Sequence, residues 1–286
     1  MSEAIAVHRL ENCEIVQLDN PEKWTLQGHS KAGERTGFWL HPEKIVLDAG
    51  LSTYRQPKAV YLTHKHIDHT GALPYILTAR SGLRPVYMPE PVLRPLAALQ
   101  KAIRWLSDGD EEPNTSSALQ AQGCDPHLVE PGTTFKATKT LHVEVLAAYH
   151  DTQSVGYGFS RAKQKLKAEF SDLSGKEIGA LRKAGTDVTE EILEPQLCFF
   201  CDSNIRNLRD HDEWRKYPVV VCECTGAGSP TPSSYHTSLE DLVPVLKSAP
   251  EKQWILIHTS MAFDVPKHGE ARLREVGLEE HNVRFL

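Results

Sequence analysis

Thr63-His64-Lys65-His66-Ile67-Asp68-His69 places three imidazoles and a carboxylate within six residues, directly after the apolar run Ala59-Val60-Tyr61-Leu62. Neutral imidazole and carboxylate are ligands that a borderline cation such as Zn²⁺ accepts at about 2.0–2.2 Å. Four such groups in one turn exceed what one ion needs. If His64 and His66 point one way while Asp68 and His69 point another, the turn can feed two neighbouring ions.

Four more polar residues stand just past, or at the end of, short apolar runs: Asp48 after Ile45-Val46-Leu47, His150 after Val143 to Tyr149, Asp202 after Leu197 to Cys201, and His258 after Trp254-Ile255-Leu256-Ile257. In folds that mix strands and helices, ligand sites gather at the carboxyl ends of strands, where rigid elements aim side chains into one crevice. Any one of these residues alone would be read as a hydrogen-bonded structural residue. Five strand ends with the same chemistry predict a shared metal site.

The elements that would carry them follow from the hydrophobic pattern. Strands are expected at Ile5 to Leu10, Glu14 to Leu18, Thr36 to Leu40, Lys44 to Leu47, Val60 to Thr63, Pro85 to Met88, Leu141 to Ala148, Val155 to Phe159, Leu197 to Cys201, Val219 to Cys224 and Trp254 to His258. Helices are expected at Gly71 to Arg80, Val92 to Leu106, Ile205 to Trp214 and Leu239 to Ser248. Gln27 to Arg35 reads as a loop and Ser107 to Ser117 as an acidic connector. Strand runs at both ends with helices between them imply two sheets sandwiched between helices.

The ordered set His64-x-His66-x-Asp68-His69, His150, Asp202, His258 resembles the metallo-β-lactamase superfamily, and Leu47-Asp48-Ala49-Gly50 resembles its first acidic motif. The pattern covers nearly the whole chain. The resemblance implies an α/β fold, the four-layer αβ/βα metallo-β-lactamase sandwich, as one domain over residues 1–286. Within the superfamily the chain looks most like ribonuclease Z. Asp202 takes the position of the single bridging carboxylate. Glu223-Cys224-Thr225 is similar to that family's His-Glu-Ala-Thr segment, and Tyr235-His236-Thr237-Ser238 to its His-Ser-Thr segment, with the order after His236 inverted. Gly156-Tyr157 after His150 also fits.

By that resemblance His64, His66 and His150 would hold one ion, Asp68, His69 and His258 the other, and Asp202 would bridge; Asp48 would orient the His-rich turn. Two zinc ions are implied, with manganese or iron as substitutes. Relatives that run di-iron redox chemistry carry a carboxylate at position 66, so His66 points to hydrolysis. The implied reaction is removal of the 3′ trailer from precursor tRNA by a hydroxide shared between the metals. Asp68 and His236 would be catalytic, with His236 protonating the leaving oxygen and Glu223 orienting it or raising its pKa. The alternative is a hydrolase of the same fold acting on a cyclic nucleotide, phosphonate, lactone or thioester.

Between His150 and Asp202 lies an insertion, about 161–194. From Arg161 to Lys183 it has a net charge of +4, in a chain whose formal charge is −6. Ribonuclease Z proteins use a protruding arm to grip tRNA, so Arg161, Lys163, Lys165 and Lys167 become candidate RNA contacts. The family's Pro-x-Lys-x-Arg-Asn substrate loop is not visible. Ser30 to Thr36 stands in its place, where Lys31 and Arg35 could contact phosphates. A homodimer is implied by the resemblance only.

Bulk properties fit this reading. The 286 residues have an ordinary globular composition, and no apolar stretch reaches the ~18 residues of a membrane span. No secretory pattern opens the chain; an intracellular, by default cytoplasmic, protein is expected, with nucleus and organelle left open. Cys198, Cys201, Cys222 and Cys224 lie in expected strands. Residues three apart on a strand face opposite sides, so buried core thiols are expected rather than a thiolate metal site.

Overall fold

The computed structural model describes residues 9–78, 82–108, 123–228, 234–279 and 281–286. Two seven-stranded sheets face each other. The first runs in chain order: β1 (Ile15–Gln17), β2 (Thr25–Lys31), β3 (Arg35–His41), β4 (Ile45–Ala49), β5 (Ala59–Tyr61), β6 (Arg84–Met88) and β7 (Cys124–Leu128). The second holds β8 (Thr134–Lys136), β9 (Leu141–Tyr149), β10 (Gln153–Leu166), β11 (Thr189–Phe199), β12 (Val219–Glu223), β13 (Gln253–Ile257) and β14 (Val283–Phe285), also in order. From β4 to β7 and from β11 to β14 neighbouring strands are parallel; the remaining pairs are antiparallel.

The strand period of two divides the apolar residues between cores. In β13, Ile255 and Ile257 enter the core between the sheets, while Trp254 and Leu256 face an outer core. β12 does the same with Val219 and Val221 against Val220 and Cys222. Burial on both faces is why these strands read as unbroken apolar runs. Helices cover the outer faces. On the first sheet lie α1 (Ile67–Thr70), α2 (Leu73–Ile76) and α3 (Glu90–Asp108), the latter two contributing Leu73, Ile76, Val92 and Leu96 to one outer core.

The arm at 161–194 carries α4 (Gly175–Lys183), and α5 (Arg206–Arg209), α6 (Leu239–Ser248) and α7 (Val265–Glu275) cover the second sheet. Ser238 opens α6: its hydroxyl accepts the Asp241 N–H, and the Asp241 carboxylate returns a bond to Ser238, which places Leu239, Leu242 and Leu246 on the buried stripe. The architecture is a four-layer αβ/βα sandwich.

Several elements differ from the sequence expectation. Gln27 to Arg35 is mostly strand, forming most of β2 and opening β3. Its polar side chains are satisfied inside the sheet: Ser30 Oγ meets Thr36 Oγ1 at 2.9 Å and Gln27 Nε2 donates to Cys13 O at 3.1 Å. Gly71 to Arg80 is not one helix. α1 and α2 break it at Gly71-Ala72, and residues 79 and 80 lie outside the described set. Ile205 to Trp214 divides into α5 and a 3-10 turn. The strand expected at Ile5 to Leu10 and most of the acidic connector fall outside the described residues; Leu10 itself opens a 3-10 turn. Cys124 and the four strand-region cysteines are buried and form no disulfide. No helix among the described residues is long and apolar enough to cross a membrane.

Gly50 sets how closely the His-rich turn approaches β4. A Cβ there would lie 1.7 Å from the Asp68 carbonyl oxygen and 2.7 Å from the Thr36 nitrogen, both backbone atoms that cannot swing aside. Gly50→Ala is therefore expected to destabilise the fold by about 1–3 kcal/mol and to lower metal content, read by urea denaturation and elemental analysis.

Candidate metal centre

Four short connections, after β5, β9, β11 and β13, deliver the ligand-type side chains. The extended segment after β5 drops straight into α1, so His64 and His66 precede the helix while Asp68 and His69 ride on it. On the second sheet, β9 and β13 end immediately before His150 and His258, and β11 ends at Phe199, three residues before Asp202. All seven candidate ligands converge at this edge. His64, His66, His150 and Asp202 bring donor atoms within 4.8 Å of one another, as do Asp68, His69 and His258.

Asp202 lies between the two groups. Its Oδ2 is 3.6 Å from His64 Nε2 and 3.7 Å from His150 Nε2; its Oδ1 is 3.3 Å from His69 Nε2 and 3.1 Å from His258 Nε2. One carboxylate thus offers one oxygen to each cluster. Asp68 Oδ2 stands 3.3 Å from His69 Nε2 and 3.6 Å from His258 Nε2, and accepts the Gly33 N–H at 3.1 Å.

The imidazoles are aimed from behind. His150 Nδ1 donates to Tyr235 O at 3.1 Å. His69 Nδ1 donates to Asp48 Oδ2 at 2.9 Å. Thr63 Oγ1 donates to Asp48 Oδ2 at 2.9 Å, which leaves its lone pairs for His64 Nδ1–H at 3.0 Å. An Nδ1–H engaged in this way leaves the Nε2 lone pair free to face the site, the arrangement that orients metal-bound histidines. Asp48 has φ +53° and His258 φ +56°, left-handed conformations that cost non-glycine residues energy and cluster at functional sites.

The protein groups alone leave this site incomplete. His64, His69 and His258 each bury an Nε2 with no hydrogen-bond partner among the described residues, a cost of about 1–3 kcal/mol each unless something fills the space between them. Burial, with His69 nearby, drives the His64 pKa well down, and burial lowers that of His150, so both are neutral and ready to coordinate. Burial opposes ionisation of Asp202 and Asp68, but the neighbouring histidines outweigh it and hold both carboxyls low. Burial likewise disfavours charge on His69, yet Asp202, Cys201 and Asp48 raise its pKa well above the ordinary value. Surroundings that hold a proton this firmly also favour a divalent cation. The residues fit a metal pair.

Beside this pocket, His236 Nδ1 donates to Glu223 Oε1 at 2.8 Å. A ring nitrogen of His236 lies within 4.8 Å of Asp202 and His258 donors. Burial lowers the His236 pKa, but the Glu223 bond and charge, helped by Asp202 and Asp151, leave it raised.

A diphosphatase of the PhnP family superposes with a TM-score of 0.58 at 12% identity, covering 92% of this chain and 94% of that one. The metallo-β-lactamase fold protein YhfI from Bacillus subtilis superposes with 0.54 at 13% identity over 90% and 93% of the two chains. The fold is that of the metallo-β-lactamases. No family model matches the sequence. The chain is similar to a chloroplastic tRNase Z of Arabidopsis thaliana, 25% identical over 88% of this chain and 72% of the relative, and to a second Arabidopsis tRNase Z, 25% identical over 87% and 90%. A nuclear ribonuclease Z of Triticum aestivum is 27% identical over 60% of this chain and 94% of its own.

The candidate RNA contacts are placed differently from the metal-type residues. Lys31 Nζ donates to Thr259 Oγ1 at 3.0 Å and to Phe263 O, tying β2 to the loop after His258. Arg161 pairs with Glu43, Lys163 with Glu22 and Glu194, and Lys167 bonds Asp187 O at 2.6 Å. Lys165 lies in register with Glu190. Arg35 opens β3 at the tip beside Gly33. Sequence reading also missed Asp151, whose Oδ1 is 3.0 Å from His150 Nε2 and 3.6 Å from His66 Nε2. Its only signal was adjacency to His150.

Proposed function

We propose that the chain is a metal-dependent endoribonuclease of the tRNase Z type that removes the 3′ trailer from precursor tRNA. The observation that carries this reading is Asp202, with one oxygen toward each histidine cluster and the His236–Glu223 pair alongside. Likeness to tRNase Z proteins over most of the chain supports it. His64, His66, His150 and Asp202 would hold one zinc; Asp68, His69, His258 and Asp202 the other. When bound, such a pair supplies an ionised water near neutral pH and offsets charge on a phosphoryl oxygen. Asp68, fixed by Gly33 N–H, stays ionised and acceptor-only at the site. Asp48 keeps His64 and His69 aimed. His236, protonated and held by Glu223, donates its proton to the leaving 3′ oxygen.

We further propose a single domain over 1–286, acting as a homodimer, whose arm at about 161–194 grips the tRNA. The excess of +4 between 161 and 183 is cancelled by Asp187, Glu190, Glu191 and Glu194 on the return strand. The grip therefore falls to Lys176, Arg182 and Lys183 on α4, which make no ion pair with described residues. Changing these three to alanine is expected to raise KM and to flatten the salt dependence of KM by up to about three logarithmic units per unit log salt, at a maximal slope near one per phosphate contact. An unchanged slope removes the arm from RNA binding.

The balanced charge of the arm also favours a second reading, a small-diester hydrolase of the same fold. Incubation with a 3′-extended tRNA precursor and with bis-p-nitrophenyl phosphate, each with and without chelator, separates the two. Chelator-sensitive release of the trailer is expected. Cleavage of the small diester alone would move the assignment to the second reading.

A further inference from the structure

Glu223 is a fully buried carboxylate surrounded by donors. Oε1 accepts from Ser203 N at 3.0 Å and His236 Nδ1 at 2.8 Å; Oε2 accepts from Thr225 N at 2.9 Å and Thr225 Oγ1 at 2.6 Å. The last contact decides the state of the Thr225 hydroxyl. It has one proton and four neighbours within reach, the others being His258 Nδ1 at 3.1 Å, His258 O at 3.0 Å and His236 Nδ1 at 3.3 Å. The carboxylate is the nearest and the only anion, and charge-assisted bonds are roughly twice as strong as neutral ones. The proton goes to Glu223. Thr225 Oγ1 then faces His258 Nδ1 as an acceptor, which requires Nδ1–H and leaves the His258 Nε2 lone pair pointing at Asp68 and Asp202, 3.6 and 3.1 Å away.

We infer that Thr225 is a positioning residue that yokes the acid pair to the metal centre, so that Glu223 fixes His236 through one oxygen and the metal-binding tautomer of His258 through the other. The inference rests on the metal-holding part of the proposed function and not on the identity of the RNA. His258 needs this help: the other imidazole of its cluster, His69, is aimed by Asp48, whereas Thr225 is the Nδ1 contact of His258 among the hydrogen bonds described, and its backbone sits at φ +56°. Valine at 225 keeps the shape of threonine and loses the acceptor. Glutamine at 223 has a single oxygen for four donors, so its NH₂ must face one donor pair and disturb the same relay.

The test titrates metal-free protein with Zn²⁺ by calorimetry and with Co²⁺ by absorption. Wild type and Thr225→Ser are expected to take two ions alike. Thr225→Val is expected to bind one ion as wild type does and the other about 10–100-fold more weakly. Glu223→Gln should weaken that same ion, and the double variant should add little to either single change. His236→Ala should leave both ions in place. Overturning results are a Thr225→Val protein with both affinities unchanged, or a Thr225→Ser protein as impaired as Thr225→Val, which would assign the effect to packing of the methyl group. A wild-type chain that takes up no ion would overturn the metal reading together with this one. A chain that binds both ions but cuts no tRNA leaves the role of Thr225 to be decided by the titration alone.

Discussion

His236→Ala is expected to lower kcat for trailer removal by about 10²–10⁴-fold, the range a lost general acid produces, while both ions stay bound. Elemental analysis beside single-turnover rates checks both halves. The sign of the pH dependence follows from the site. His236 acts in its protonated form, and the Glu223 bond raises its pKa against the lowering effect of burial. Wild-type activity therefore falls as pH rises through that raised value. Glu223→Gln removes the cause of the elevation, so at saturating metal its alkaline limb must move to lower pH. A limb that does not move excludes Glu223 as the group that tunes His236. A substrate with an activated leaving group, such as p-nitrophenolate, needs no proton and should lose far less to His236→Ala than tRNA does.

The site was legible in the sequence because its chemistry is concentrated and its geometry is simple. Apolar runs that end in a histidine or aspartate mark strand ends, and parallel strands in one sheet bring their carboxyl ends to one edge. What the runs could not show was orientation. Nothing in Asp48, Thr63 or Thr225 as letters says which imidazole nitrogen each contacts, because those contacts join positions from 1 to 33 residues apart. The β2 strand was missed because Gln27, Gly28, His29 and Ser30 look like a loop until their partners in β3 and beyond satisfy them. The balance of charge on the arm is hidden in the sequence for a related reason. Its basic residues come first in the chain, and the acids that neutralise them arrive on the returning strand of the same hairpin. Charge summed along a window is not charge on a surface.

Asp202→Ala should have the widest effect of any single change in the site, and the reason is positional rather than a matter of ligand strength. His64→Ala or His258→Ala removes one donor from one cluster and leaves the other cluster complete. Asp202 lies 3.6 and 3.7 Å from two Nε2 atoms through Oδ2, and 3.3 and 3.1 Å from two more through Oδ1. Its loss takes an anionic ligand from both ions at once. Each affinity should fall by at least the ~10²-fold seen at the upper end for merely supporting residues, and trailer removal should fall below the His236→Ala level. Asp202→Asn refines the point. An amide has one oxygen and one NH₂, so one cluster keeps an acceptor while the other meets a donor. Cobalt titration should then show two unequal losses in the asparagine variant and two comparable losses in the alanine variant. Equal, small losses in both variants would mean that Asp202 does not serve two ions, and the dinuclear reading would have to give way to a single ion held by His64, His66 and His150.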